Sequence, residues 1–157
     1  MNADQGQAAG MPIAVCAAAL ASILADPVPA SWVAAVEQVE TGGHNVTGDK
    51  GAAKGVLQWH AKAWADCSRL RQAAGLPIWP YASAADPQRA RIYASTWLTY
   101  LRARVSHEIG RPALACETWL AWNLGLAGFK RYRYQAWHPD LPAARYDAAQ
   151  RVQALTK

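Results

Sequence analysis

The chain has 157 residues, of which 52% are apolar and 17% are charged, and eight are tryptophan. This length fits one domain, and the apolar content excludes a disordered or collagen-like chain, because such chains lack the side chains that build a core. The formal charge of +5 divides into −3 for residues 1–60 and +8 for residues 61–157. Since arginines two apart, such as Arg102 and Arg104, point in different directions from a helix, we expect no nucleic-acid partner.

Residues 12–24 form an apolar stretch that is too short to cross a membrane. No Lys or Arg precedes this stretch, although an export signal normally begins with basic residues. We therefore expect a first core helix that ends near Asp26, within an N-terminal extension over residues 1–29 that precedes a catalytic core over residues 30–157. An export signal is the alternative.

Five further helices are predicted from apolar periodicity and from capping residues, with Ser31 and Asp86 as the N-caps of the first and the third. They span residues 31–40, 56–74, 88–109, 112–123 and 142–155. Between the first two lies a glycine-rich loop, residues 41–55, with room for short hairpin strands. The sequence therefore predicts a mainly α-helical single domain.

The three cysteines are too few for a disulfide scaffold and lack the spacing of a metal site. One disulfide with one free thiol, or three buried thiols, are both compatible with the sequence. These residues are Cys16, Cys67 and Cys116.

Glu40 lies where the predicted helix 31–40 meets the glycine-rich loop. A carboxyl group at this position is held by a helix and can face an open groove, which suits a general acid. Acid catalysis near neutral pH requires a raised pKa, and burial beside Val36, Val39 or a tryptophan would supply it. An exposed glutamate at a helix end is the alternative interpretation.

Three short motifs in this order resemble the soluble lytic transglycosylases of the lysozyme-like and goose-type lysozyme superfamily. They are Glu40-Thr41-Gly42-Gly43, Ala53-Lys54-Gly55-Val56-Leu57-Gln58 and Ala121-Trp122-Asn123-Leu124-Gly125. In that family a Glu-Ser-Gly stretch is followed eighteen residues later by the glutamine of a Gly-Leu-Met-Gln element, and Gln58 has the same distance from Glu40. The chain departs from the pattern at Thr41, which replaces serine, and at Trp122, which replaces a tyrosine and lacks its hydroxyl.

The resemblance implies a lysozyme-like domain that cleaves the β-1,4 bond between N-acetylmuramic acid and N-acetylglucosamine in peptidoglycan. Glu40 would first donate a proton to the leaving oxygen and then accept one from the muramoyl C6 hydroxyl, which closes a 1,6-anhydro ring. A hydrolytic muramidase that uses Asp49 or Asp66 as a second carboxylate is the alternative, although Asp49 could equally be an ordinary turn residue. A catalytically silent wall-binding module is an alternative of another class.

The resemblance, together with the aromatic content, gives a set of candidate substrate-binding residues. They are Thr41, Gln58, Trp59, Trp122, Asn123, Tyr132 and Tyr134. We expect no cofactor and no metal, since His44 and His60 lack zinc-binding spacing.

The expected partner is a peptidoglycan glycan strand, whose stem-peptide carboxylates the basic residues Lys130, Arg131 and Arg133 could attract. Such an enzyme would act on the cell wall, in the periplasm of a Gram-negative cell or delivered there. The resemblance suggests that the enzyme belongs to a larger machine that crosses the cell wall, such as a phage particle, a secretion system or a conjugation apparatus.

Overall fold

A computed structural model describes residues 13–157 of the chain, and this part is mainly α-helical, as predicted. It contains six α-helices, which are α1 (Ile13–Leu24), α2 (Ala30–Thr41), α3 (Ala61–Ala73), α4 (Pro87–Ile109), α5 (Ala115–Lys130) and α6 (Ala143–Leu155). A small antiparallel sheet follows α2 and has the strand order β1 (Thr47–Gly48), β2 (Ala53–Lys54) and β3 (Trp59–His60). Two short 3₁₀-helices, Asp49–Gly51 and Tyr81–Ala85, complete the architecture. A helix within residues 12–24 is confirmed as α1, but the expectation of a core helix is wrong, because none of the side chains of residues 17–24 is buried. Residues 1–12 lie outside the described part.

The long helix α4 packs against four of the other five described helices, namely α1, α2, α3 and α5. It begins and ends as its sequence predicts. The Asp86 carboxylate accepts hydrogen bonds from the backbone N–H groups of Gln88 and Arg89, at 2.9 and 3.2 Å. Gly110 ends the helix in the left-handed conformation, which glycine adopts without steric cost.

Three predicted helices have wrong boundaries. Ser31 does not cap α2, because the helix already begins at Ala30, directly after Pro29 with its helix-compatible φ of −56°. Residues 56–60 are not helical, because β3 pairs with β2 and α3 begins only at Ala61. Helix α5 starts at Ala115 and runs to Lys130, with a break at Gly125, where φ is +71° and ψ is 161°.

An aromatic cluster forms the centre of the core beneath the sheet. Trp64 stacks on Tyr93 with ring centroids 3.8 Å apart, and Trp59 meets both rings edge-on. Two cysteines are buried in the same core as free thiols, and burial raises the pKa of Cys67 to about 12 and that of Cys116 to about 11. Both therefore behave as small apolar side chains, while the side chain of Cys16 lies outside the described part.

Gly55 fixes how the sheet docks on the helical layer. Its φ is +76°, and a Cβ atom there would lie 2.0 Å from the backbone carbonyl oxygen of Ala84. Because that neighbour is backbone, which cannot move aside cheaply, only glycine fits at this crossing. The crossing fixes Gly55 against the 3₁₀-helix Tyr81–Ala85, three residues before Gln58.

Candidate active site

A polar cavity of about 450 Å³ opens between the C-terminal end of α2, the sheet, α5 and α6. It is lined by Glu40, Asp49, Gln58, His60, Trp122, Asn123 and Arg145. The three sequence motifs, which are separated by up to 85 positions in the chain, therefore each contribute side chains to one cavity.

Glu40 is partly buried at the end of α2, and its only hydrogen-bond partner among the described residues is an indole. The Trp119 Nε1–H donates to Glu40 Oε1 at 3.0 Å. Burial raises the pKa of Glu40, the negative charge of Asp49 acts in the same direction, and the indole hydrogen bond and the charge of His60 partly oppose the rise. Since Oε1 is engaged by the indole, Oε2 is the oxygen free to carry an acidic proton. The group can therefore donate a proton, and the indole then stabilises the carboxylate that remains.

Thr41 and Gln58 hold the cavity wall together. The Thr41 hydroxyl donates to the carbonyl oxygen of Val56 at 2.7 Å, which ties the end of α2 to the segment that leads to Gln58. The Gln58 amide donates to the carbonyl oxygens of Val46 and Gly55, at 3.0 and 2.9 Å. Thr41 therefore acts on the cavity through its neighbours, whereas Gln58 lines the cavity itself.

Asp49 and His60 form an exposed pair at the sheet side of the cavity. The His60 Nε2 lies 2.9 Å from Asp49 Oδ2, and both side chains line the cavity. Asp49 does lie in a turn, since the backbone N–H of Ala52 donates to its carbonyl oxygen at 3.1 Å, but its carboxylate reaches the imidazole of His60 and does not bond its own backbone.

Asp66 is not placed to act with Glu40. It lies on α3, outside the cavity lining, and it is engaged by Lys62 at 2.9 Å and by Arg69. The helical spacings of three and four residues explain these ion pairs. The expectation that Asp66 could be a second carboxylate of the site is therefore wrong.

Three of the aromatic residues predicted to bind sugar also lie elsewhere. Trp59 is only 1% exposed and donates its indole N–H to the carbonyl oxygen of Ala90, so it offers no face to a ligand. Tyr132 contacts His138 edge-on and Tyr134 contacts Phe129 edge-on, and neither tyrosine lines the cavity. Of the predicted aromatic residues, only Trp122 reaches the cavity, and it packs on Trp59 with centroids 4.7 Å apart.

Sequence reasoning missed three residues of the site, namely His60, Trp119 and Arg145. The position of His60 two residues after Gln58 was the available signal for it. Trp119 precedes Trp122 by three positions on α5, and this helical spacing could have indicated that both face the same side. Arg145 comes from α6 and donates its Nε–H to Asn123 Oδ1 at 3.0 Å. No local signal marks Arg145, because it reaches the cavity only through the packing of α6 on α2 and α5.

Comparison with protein-family models, with curated proteins and with solved structures finds no match to this chain. Among residues 13–157, no group of three or more His, Cys, Asp or Glu side chains is placed to hold a metal ion. None of the helices in this range is long and apolar enough to cross a membrane.

Proposed function

We propose that this chain is a lysozyme-like enzyme that cleaves peptidoglycan glycan strands as a lytic transglycosylase, with Glu40 as its general acid and base. The observation that carries the proposal is the environment of Glu40. A carboxyl whose pKa is raised by burial opens into a polar cavity that is large enough for sugar residues. The order of helix, acid, first two strands and glutamine agrees with the sequence resemblance and supports the lysozyme-like assignment.

The proposed reaction uses the Glu40 carboxyl twice. The protonated carboxyl donates its proton to the glycosidic oxygen, and the bond from that oxygen to C1 of the muramoyl sugar breaks. The Glu40 carboxylate then accepts the proton of the muramoyl C6 hydroxyl, while the C6 oxygen bonds to C1 and closes the 1,6-anhydro ring. The enzyme returns to its starting state without consuming water, so a second carboxylate is not required.

In this reaction the other cavity residues bind and orient the glycan. Trp122 offers an aromatic surface for a sugar ring, and Gln58 and Asn123 offer amide groups for hydroxyl and acetamido substituents. The proposed site of action is the cell wall, which the protein would reach in the periplasm or by delivery with a larger machine.

Hydrolysis is the second candidate, and the position of Asp49 is the observation that favours it. Asp49 lines the same cavity as Glu40, and its charge acts on the Glu40 carboxyl. A carboxylate in this position could activate a water molecule, as inverting glycosidases require. Asp49→Asn separates the two routes, since a hydrolase would lose about 10²–10⁴-fold in rate, whereas the transglycosylase would keep its anhydro products.

The deciding experiment is digestion of purified peptidoglycan by the wild type and by Glu40→Gln, with the products read by mass spectrometry. We expect products that are lighter by one water than muramidase products, and none above background from Glu40→Gln. Reducing ends would establish the hydrolytic candidate instead. A folded wild-type protein that binds peptidoglycan without cleaving it would establish the wall-binding module, and activity that survives in Glu40→Gln would overturn the mechanism.

A further inference from the structure

Arg145 has no carboxylate partner among the described residues, unlike five other arginines of the chain. Within residues 13–157, five arginines form ion pairs with acidic side chains, namely Arg69, Arg89, Arg91, Arg102 and Arg111. Arg145 forms no ion pair with any described residue, although it lines the cavity that holds Glu40. The cavity thus contains an uncompensated guanidinium group beside the candidate acid.

The guanidinium group is fixed at one end and free at the other. Its Nε–H donates to Asn123 Oδ1 at 3.0 Å, which sets the direction of the side chain. Neither Nη atom donates a hydrogen bond to a described side chain or backbone carbonyl. A guanidinium group held in this way presents donors to an incoming planar anion, and a carboxylate is the group that matches them best.

The same contact decides how Asn123 presents its amide. The Nε–H of arginine can only donate, so the oxygen of Asn123 must face Arg145. The Nδ2 group of Asn123 then remains as the donor available to a ligand. The pair therefore presents the Nη groups of Arg145 and the Nδ2 group of Asn123 as donors, which suits a substituent rich in carbonyl and carboxylate oxygens.

The remaining charges of the cavity leave Arg145 as the group that can meet an anion. His60 is engaged by Asp49 at 2.9 Å, and burial raises the pKa of Glu40, so this carboxyl carries its negative charge less readily than an exposed one. An acidic substituent of a bound ligand is therefore attracted to the α6 side of the cavity and repelled from the Asp49 side.

We infer that Arg145 is a specificity residue that binds a carboxylate carried by the muramoyl sugar of the glycan. This inference rests on the proposed function. Two carboxylates have the required chemistry, namely the lactyl carboxylate of a sugar without a peptide and the carboxylates of an attached stem peptide. Neutral N-acetylglucosamine polymers lack this group, so Arg145 distinguishes peptidoglycan from chitin-like strands.

The test compares glycan strands that differ only in charge. Strands stripped of peptide and strands that carry stem peptides are each prepared with free carboxylates and with carboxylates converted to amides. Since hydrogen bonds to charged groups contribute about 1.5–3 kcal/mol, we expect wild-type kcat/KM to fall about 10- to 100-fold on amidation of the recognised carboxylate. Arg145→Gln should cleave both forms at nearly the same low rate.

Two further variants control for charge and geometry. Arg151→Gln removes the same charge from the same helix at an exposed position outside the cavity, so it should keep the wild-type ratio. Arg145→Lys keeps the charge without the fork of donors, and it should retain an intermediate ratio. If Arg145→Gln folds poorly, the ratio of Arg145→Lys still tests Arg145, and a full wild-type ratio in either folded variant would overturn its role.

Each outcome has one meaning. If amidation lowers the wild-type kcat/KM on stripped strands, the recognised group is the lactyl carboxylate. If amidation lowers it on peptide-bearing strands alone, the recognised group is a carboxylate of the stem peptide. Equal cleavage of free and amidated strands by the wild type overturns the role of Arg145 and leaves the proposed function intact. No wild-type cleavage of any strand overturns the proposed function itself.

Discussion

Two glutamates one turn apart on α2 lie in opposite electrostatic environments. Glu37 is buried and receives two hydrogen bonds from Arg91, at 2.7 and 2.8 Å, and these lower its pKa. Glu40 receives one hydrogen bond from the neutral indole of Trp119, and burial raises its pKa. The partner, and not burial alone, thus decides whether a carboxylate on this helix is a fixed charge or a proton donor.

The two sides of α2 also differ in what surrounds them. Glu37 and Arg91 lie at the edge of a groove of about 660 Å³ whose walls are mostly apolar, with Val28, Val33 and Ile92 among them. Glu40 opens into the smaller polar cavity. The helix therefore separates a side stabilised by an ion pair from a side that can perform acid chemistry.

The largest expected effect is the difference in cleavage rate between Glu40→Gln and Glu37→Gln. Glu40→Gln removes the acidic proton, and we expect the rate of peptidoglycan cleavage to fall by about 10³-fold or more. Glu37→Gln leaves that proton in place, and we expect cleavage within about threefold of the wild type, measured at a temperature where both variants are folded. Equal losses in the two variants would contradict the distinction.

The free energy of unfolding should fall in Glu37→Gln, although this variant nearly keeps its cleavage rate. Glu37→Gln removes a charged partner from Arg91, and we expect a loss of about 1–2 kcal/mol in the free energy of unfolding at pH 7, since Arg91 is half-exposed. Because the folded-state pKa of Glu37 is lowered, this stabilisation is present above its unfolded pKa and is lost as the pH falls through the folded value. Urea unfolding at pH 7 and at pH 3 checks both statements. A difference that persists unchanged at pH 3 would argue against an ionic origin.

Glu40→Gln should stabilise the fold at neutral pH. A raised folded-state pKa means that the stability contributed by Glu40 is present below its unfolded pKa and is lost as the pH rises through the folded value. The amide avoids this loss and can still accept the indole hydrogen bond, so we expect a gain of about 0.5–2 kcal/mol at pH 7 that disappears near pH 4. Thermal unfolding across this pH range measures it, and a destabilised variant at pH 7 would refute the assignment of Glu40 as a desolvated acid.

The smallest effect is a shift of the pH profile. Trp119→Phe removes a hydrogen bond that favours the Glu40 carboxylate, so the pKa of Glu40 should rise further. We expect the alkaline limb of kcat/KM to move to higher pH, with a rate change below about tenfold. Trp137→Phe, at an exposed position outside the cavity, should leave the limb where it is. A limb that is unmoved in Trp119→Phe would show that Glu40 does not set it.

Features encoded locally were predictable from the sequence, and features that depend on distant packing were not. The Asp86 cap and the helix that follows it were correct because the capping residue, the proline and the closing glycine are adjacent in the chain. The start of α3 was wrong because residues 55–58 form a turn and residues 59 and 60 pair with residues 54 and 53, which their own apolar pattern does not reveal.

The same distinction applies to the candidate site. The spacing of Glu40 and Gln58 indicated two residues that do line one cavity, because the sheet between them is short and local. Trp59 was misassigned because an aromatic residue beside a site residue can face the core, where pairing alternates the side chains. Arg145 could not be foreseen, because only the docking of α6 brings it to Asn123.

Two glycines of the sheet region meet their neighbours in different ways, and this makes the hairpin unevenly tolerant of mutation. A Cβ atom at Gly55 would collide with the backbone at Ala84, so an alanine there threatens folding itself. A Cβ atom at Gly48 would lie 1.9 Å from Gln58 Oε1, the far end of a flexible side chain that can turn away. Gly48→Ala should therefore fold, but the Gln58 side chain would turn away and its amide would leave its position in the cavity. In a saturation-mutagenesis library, selection for soluble expression would deplete position 55, whereas only selection for activity would deplete position 48.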